Sequence, residues 1–460
     1  MKHIRIYLFI LIAATSLAAC SKFLERPPKG KLEESEALKT EENVLAVLNG
    51  TYNTLAGGTI YGGRVQIISE LMADNLDGQL LSEDFGEIYR RKTSIFGDYK
   101  GDYYKEAYLI VYKANKVLQY LVNVGADKKD RVEGEAKFLR AVAMFEVVRF
   151  FAQPYGNTTD NSHLGIPIRL VPDIKPNDRS TVKEVYAQIL SDLGDAARLL
   201  PASNGEYASK YAALAFLAKV HFQMNDFAKA YDYANEVLVQ AESAGSTFSF
   251  DPTIDTRWSL GQSKEGILLI KNRTGNFEPG KDLRDRFRSD VRLPILYFNN
   301  QTYSQFLRPN DKRKAWLNNT KYADKIVLTK YNHDQFDLPI VHVTEIKLIR
   351  AEAAAELNDA QKLTVGLKDI NDILQRAGLD KLLSGTSAAL IISAARRERE
   401  EEMIGEGNRI NEIKRIGVRN NQNIDRRGSP FNCNGFILQF PNNEKAGNAN
   451  FVMNAEGGCL

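Results

Sequence analysis

Apolar positions recur at helical spacing along most of the chain, and over Gly134–Gly156 they occupy two opposite sides at once. At about 100° per residue, Ala136, Leu139, Ala143, Val147 and Phe150 share one face, while Phe138, Val142, Phe145 and Val148 lie across from it. A helix apolar on both sides needs partners on both sides, which predicts the middle layer of a stack of helices. Glu135, Glu146 and Arg149 are left to a narrow polar strip. Arg140 falls at the edge of the first apolar face, where a charge calls for a structural partner, and Pro154-Tyr155-Gly156 stops the helix.

The same periodicity predicts further helices. One begins at Thr40 with Val44, Leu48, Thr51, Tyr52 and Leu55 on its stripe and ends at Gly57-Gly58. From there to Gly101 the pattern dissolves into glycines, carboxylates and tyrosines, and the segment reads as loop-rich. Its Asp74, Leu76 and Gly78 do not fit an EF-hand, which wants Asp or Asn at each of those places. Tyr104 to Val122 carries the next stripe, with Asn115 inside it as a structural hydrogen-bonding residue. Thr181-Val182-Lys183-Glu184 is a capping box for a helix closed by Pro201. Two helical hairpins follow, Tyr207–Leu238 turning at Asn225-Asp226 and Thr344–Arg376 turning at Asn358-Asp359; small residues at 215, 218, 230 and 234 suit close, tetratricopeptide-like packing. Between them, 244–339 shows few stripes, a strand-like Ile267–Ile270 and both tryptophans. Arg396–Glu402 is dense in charge and reads as a solvated helix face, and the Asn- and Gly-rich stretch beyond Gly417 as a loop-like tail.

With 460 residues and 43% hydrophobic content the chain can bury a large core, in one big domain or two or three smaller ones. A net charge of +3, spread evenly, gives no field that would favour nucleic acid. The first residues set the compartment. Lys2 and Arg5, the short apolar run Tyr7–Ala14 and Leu17-Ala18-Ala19-Cys20 have the parts of a secretory signal whose end resembles a bacterial lipobox, so residues 1–19 are expected to be removed and Cys20 lipidated. An exported chain meets an oxidising environment, so Cys433 and Cys459 are expected to pair, closing a loop worth roughly 3 kcal/mol in the chain-entropy model. No cofactor or metal site is expected: the five histidines show no ligand spacing and no glycine-rich phosphate loop follows a strand.

Five stretches together resemble the SusD/RagB family of outer-membrane nutrient-binding lipoproteins. They are Glu135–Ala141 (EAKFLRA), Gly165-Ile-Pro with Arg179–Val182, Glu345–Glu352, Asn371–Gly378 ending in RAG, and Glu398-Arg399, Glu402, Glu406-Gly407 and Arg409 at the spacing of the family's E-R-x-x-E-L-x-x-E-G-x-R. Glu412 stands where the family usually has Asp, and the tail only loosely echoes its ending. The resemblance implies a mainly α fold with tetratricopeptide-like hairpins. It suggests a tether over 20–35 and one domain over 36–460: scaffold at 36–243 and 340–417, ligand-facing insert at 244–339, and tail at 418–460. It further implies a non-catalytic protein, anchored at the outer membrane, that captures oligosaccharide or peptide and hands it to a SusC-like TonB-dependent transporter.

Sugar rings lie on aromatic side chains and their hydroxyls want Asp, Asn and Arg. The residues mixing the two are Tyr61, Arg64, Asp74, Asn75, Tyr99 and Tyr103 in the early loop-rich stretch, and Trp258, Tyr297 and Trp316 in the insert. Two rivals stay open: a lipid-anchored glycosidase, which needs two carboxylates facing across a cleft, with Asp74 and Asp77 as imaginable members, and a helical scaffold that binds only proteins.

Overall fold

In this computed structural model the structure describes residues 34–459 apart from 93, 273–278 and 307. The signal segment and Cys20 lie outside the described residues, as does the tether except its last two positions, which open a one-turn helix, Glu34–Ala37. Helices dominate: α1 (Glu41–Ala56), α2 (Arg64–Met72), α3 (Glu83–Tyr89), α4 (Asp98–Gln119), α5 (Ala126–Phe151), α6 (Val182–Leu199), α7 (Lys210–Gln223), α8 (Phe227–Ala241), α9 (Lys281–Phe287), α10 (Val343–Leu357), α11 (Ala360–Arg376), α12 (Ala388–Glu402) and α13 (Arg409–Asn420). Strands are short: β1 (Gly266–Ile270) runs antiparallel to β4 (Leu338–His342) with Ile270 opposite Leu338, and β2 (Leu317–Asn318) pairs with β3 (Val327–Leu328).

The scaffold is a run of helices, each packed on the next. α1 lies on α4, α4 on α5, α5 on α6, α6 on α7, α7 on α8 and α8 on α10, which in turn carries α11 and α12. Helix α5 occupies the layer its pattern predicts, and Phe138, Leu139, Val142, Phe145 and Phe150 are all buried. Arg140 has its structural partner: Nε and Nη2 donate to the Asp192 carboxylate at 2.8 and 2.6 Å, while Nη1 donates to Asn115 at 2.7 Å. The predicted strip of Glu135 and Glu146 is not solvated. Both are buried, Glu135 paired with Arg131 and Glu146 with Arg149 and the Tyr61 hydroxyl. Local signals hold elsewhere: Thr40 caps α1 through the Asn43 N–H, and Thr181 and Glu184 form both halves of a capping box on α6.

Two readings need correction. The stretch 57–101 is loop-rich, but it also holds α2 and α3, and α4 begins at Asp98. Every residue of α2 from Val65 to Met72 is buried, between α3, α9 and α13, and at nine residues between glycine- and aspartate-rich turns it shows little more than two turns of pattern, with Gln66, Ser69 and Glu70 turned inward rather than to solvent. The charged run 396–402 is not a solvated face. Glu398, Arg399, Glu401 and Glu402 are buried. Of the i,i+4 pairs that the spacing offers, Arg396 with Glu400 and Arg397 with Glu401, only the second forms, at 3.0 Å, and Arg396 instead reaches Glu352 at 2.8 Å.

That run is the ionic hub joining the insert to the scaffold. Glu402 accepts from Arg257, Arg313 and Arg376 at 3.0, 3.1 and 2.8 Å. Glu398 takes Arg308 and Arg313, both at 2.7 Å, and Glu406 takes Lys330 at 2.8 Å and meets His342 at 3.1 Å. Burial alone would push the Glu406 carboxyl up, but Lys330, Arg257 and His342 overcome it and hold the group well below the usual carboxylate range. Removing one partner from such a network leaves an uncompensated buried charge. In the tail, Phe436, Leu438, Phe440 and Phe451 are buried against the scaffold, and Cys433 is joined to Cys459 with Cα atoms 5.0 Å apart.

Candidate functional site

An open groove of about 980 Å³ runs along the segment from Leu80 to Asp102 and the insert residues that face it. Its frame is set by short-range geometry. Gly97 has φ +112°, and a Cβ there would stand 2.6 Å from Asp84 Oδ1 and 2.8 Å from Lys100 Nζ, so only glycine allows the chain to turn into α4 here. The Asp84 carboxylate accepts the Tyr99 N–H at 2.8 Å, in the first turn of α4, where a negative charge suits the helix dipole. Glu87 accepts from the Ser94 N–H at 2.7 Å and from Lys100 at 2.8 Å, tying the preceding loop to α3.

Tyr99 is the pivot of the groove. The Arg64 guanidinium lies 4.1 Å over its ring and donates to its carbonyl at 3.0 Å; its hydroxyl donates to Asp282 at 3.0 Å, and Phe85 meets its ring edge-on at 4.8 Å. Burial, and then the Asp282 carboxylate, push the Tyr99 phenol well above its ordinary range, so it stays a neutral donor. Tyr297 closes the far wall, with Lys325 over its ring at 4.3 Å. Apolar surface is left in the open: Phe96 is 73% exposed and Leu80 81%. Fixed polar groups beside bare aromatic and aliphatic surface suit a ligand with both hydroxyls and apolar ring faces. Asp98 and Asp102 also line the groove. Among the described residues, no cluster of three or more His, Cys, Asp or Glu side chains is placed to hold a metal ion.

Of the nine residues singled out from the sequence, the groove brings together Arg64, Tyr99 and Tyr297. The others are placed elsewhere, for physical reasons. Tyr103 is fully buried between Phe150 and Phe151, Trp258 packs edge-on to Tyr331 and Phe336, and Trp316 carries Lys330 on its face at 4.1 Å; all three are core residues. Tyr61 is buried and donates to Glu146 at 2.6 Å. Asp74 is buried and grips two arginines, Arg409 and Arg426. Asn75 is buried and donates to Glu70 at 3.1 Å. Sequence reasoning missed Phe85, Phe96 and Arg286; a lone phenylalanine before a glycine in a polar stretch, as at Phe96-Gly97, was the available signal.

Residues 22–222 match the family described as "Starch-binding associating with outer membrane", and residues 272–454 match the SusD family. The chain belongs to the SusD/RagB family. Two SusD-like proteins of Formosa agariphila are similar to it. P2 is 29% identical over 52% of this chain and 46% of its own length, so that match spans about half of the relative; P25 is 23% identical over 91% and 90%. A SusD superfamily protein from Bacteroides vulgatus ATCC 8482 has the same fold, with a TM-score of 0.79 at 23% identity, covering 90% of this chain and 98% of that one. The mainly helical architecture is thus that of the SusD family. Its E-R-x-x-E signature is here the buried hub around Glu398 and Glu402, which makes that signature structural.

Proposed function

We propose that this SusD/RagB protein binds an oligosaccharide in the groove between Leu80 and Tyr297, breaks no bond in it, and passes it to a SusC-like TonB-dependent transporter, while lipid on Cys20 holds the protein at the outer membrane. The observation that carries this reading is the exposed Phe96 beside Tyr99, Arg64 and Asp102, an aromatic platform with hydroxyl-binding groups around it. The family description, starch-binding and associated with the outer membrane, supports the ligand class and the location. An open groove of this kind suits modest affinity and release to a partner better than an enclosed pocket would. One domain over 36–460, with 244–339 as the insert forming one wall, fits the same reading.

The glycosidase alternative draws on Asp74, which is buried and saturated by arginines and so is unsuited to act as an acid or a nucleophile. Titration calorimetry with neutral oligosaccharides, followed by chromatography of the recovered glycan, tests the proposal. Saturable binding with the glycan intact is expected; cleavage products, or binding of peptides in place of glycans, would overturn it.

A further inference from the structure

A second pocket, of about 450 Å³, lies between α12, α13 and the loop that follows α13 and shares no lining residue with the groove. Its volume falls in the lower part of the roughly 300–1,000 Å³ range of small-molecule sites. Phe306, Met403 and Ile416 give it an apolar floor; Asn408 and Gln422 give it amides, which can both donate to and accept from hydroxyls, while the Asn75 amide is taken by Glu70 and Arg426. Glu400, Glu401 and Glu412 also line it, each already held by an arginine: Arg426, Arg397 and Arg415. Arg399 lines it as well, and Arg399 is unusual. Its side chain is 1% exposed, yet Nε and Nη2 have no hydrogen-bond partner among the described residues. Glu412 is 3.8 Å from Nε, beyond hydrogen-bond reach, and is itself held by Arg415 at 2.8 Å. The face of Phe222 covers the guanidinium at 4.5 Å.

The Nε–Nη2 edge is the fork that takes a carboxylate side-on. Elsewhere in this protein that edge does so: Arg140 holds Asp192, Arg350 holds Asp369 at 2.7 and 2.9 Å, and Arg409 holds Asp74 at 2.8 Å through both nitrogens. A buried, charged fork without its acceptor is unfavourable, and an anion supplied by a ligand would complete it. We propose that this pocket is a second binding site, for a sugar acid of monosaccharide size whose carboxylate seats on Arg399 and whose hydroxyls meet Asn408 and Gln422. A protein with such a site recognises the charged unit of an acidic glycan separately from the neutral stretch held in the groove. The site does not depend on the groove being occupied.

Calorimetry of the purified protein with sodium glucuronate, glucose and N-acetylalanine tests this. Glucuronate is expected to bind at least about tenfold more tightly than glucose, and more tightly than N-acetylalanine, which offers the carboxylate without a sugar. Arg399→Lys, which keeps the charge and loses the fork, is expected to weaken glucuronate about tenfold. Because Arg399 is buried and its variant can fail to fold, Gln422→Glu at the exposed mouth serves as the second test and is expected to weaken glucuronate about threefold through like-charge repulsion. Phe96→Ala in the groove should leave glucuronate binding unchanged. Absence of saturable glucuronate binding, equal binding of glucose, tighter binding of N-acetylalanine, wild-type affinity in Gln422→Glu, or loss of glucuronate binding in Phe96→Ala would each overturn the proposal.

Discussion

Replacing Asp74 by alanine separates a structural carboxylate from a functional one. Asp74 accepts four hydrogen bonds: Arg409 Nε on Oδ1 and Nη2 on Oδ2, both at 2.8 Å, the Arg426 N–H on Oδ2 at 2.8 Å, and Arg426 Nη2 on Oδ1 at 2.9 Å. Burial works against its ionised form, but Arg409 and Arg426 outweigh it and bring the pKa down from 3.8 to about 2. A depressed carboxylate contributes stability that is present above the unfolded pKa and lost as pH falls through the folded one. Here that window is between about pH 4 and pH 2, and the shift of nearly two units corresponds to about 2 kcal/mol. Truncation does more than neutralise the pair, because it leaves the largely buried guanidinium groups of Arg409 and Arg426 with part of their compensation gone. About 3–5 kcal/mol is therefore expected. Urea unfolding at pH 7 followed by circular dichroism measures it, and Asp74→Asn should fall between the variant and wild type. If Asp74→Ala unfolds within about 1 kcal/mol of wild type while glycan affinity collapses, the structural assignment is wrong and Asp74 belongs to the binding site.

Three further outcomes follow from the same structure. Cys433→Ser should lower stability by about 3 kcal/mol in the loop-entropy model, given the 26-residue separation, and leave ligand affinity unchanged; unfolding under oxidising and reducing conditions should converge only in the variant. Burial raises the Glu70 carboxyl to about 7, against the opposing bonds from Asn75 and the Gly407 N–H. Because the folded state holds this proton more tightly than the unfolded chain, the Glu70 contribution to stability falls as pH rises from about 4.5 to about 7, and Glu70→Gln should flatten that slope in a pH series of unfolding curves. Leu139→Asp, which places a charge in the middle of α5, should prevent folding rather than alter ligand preference; a folded variant with changed preference would contradict the scaffold role of that helix.

What could be read from the sequence was what local rules or single-helix periodicity encode. The two-sided α5, the Thr181–Glu184 box and the paired hairpins are of this kind. The family resemblance was equally legible, because Glu135–Ala141 and Glu398–Arg409 keep their spacing. Helix α2 was missed because it is only nine residues long between glycine- and aspartate-rich turns, and its polar Gln66, Ser69 and Glu70 are buried rather than solvated. The run around Glu398 and Glu402 was misread because its partners, Arg257, Arg308 and Arg313, come from the distant insert, and charge density alone cannot distinguish a solvated face from a compensated buried one. The site shows the same division. Arg64, Tyr99 and Tyr297 were identified by chemical type and converge, whereas Trp258 and Trp316 have the same type but are taken up by packing. Phe96 matters because the glycine turn leaves it exposed, which is a property of position rather than of residue type.

The central claim, that the groove at Phe96 and Tyr99 captures oligosaccharide, rests most directly on one comparison: the affinity of Phe96→Ala and of wild type for the same neutral oligosaccharide, measured by calorimetry on samples of equal thermal stability. Phe96 is largely exposed, so its removal should leave the fold intact while weakening the ligand at least about tenfold, or ~1.4 kcal/mol. Unchanged affinity in a folded Phe96→Ala protein would contradict the account and place the ligand elsewhere on the molecule.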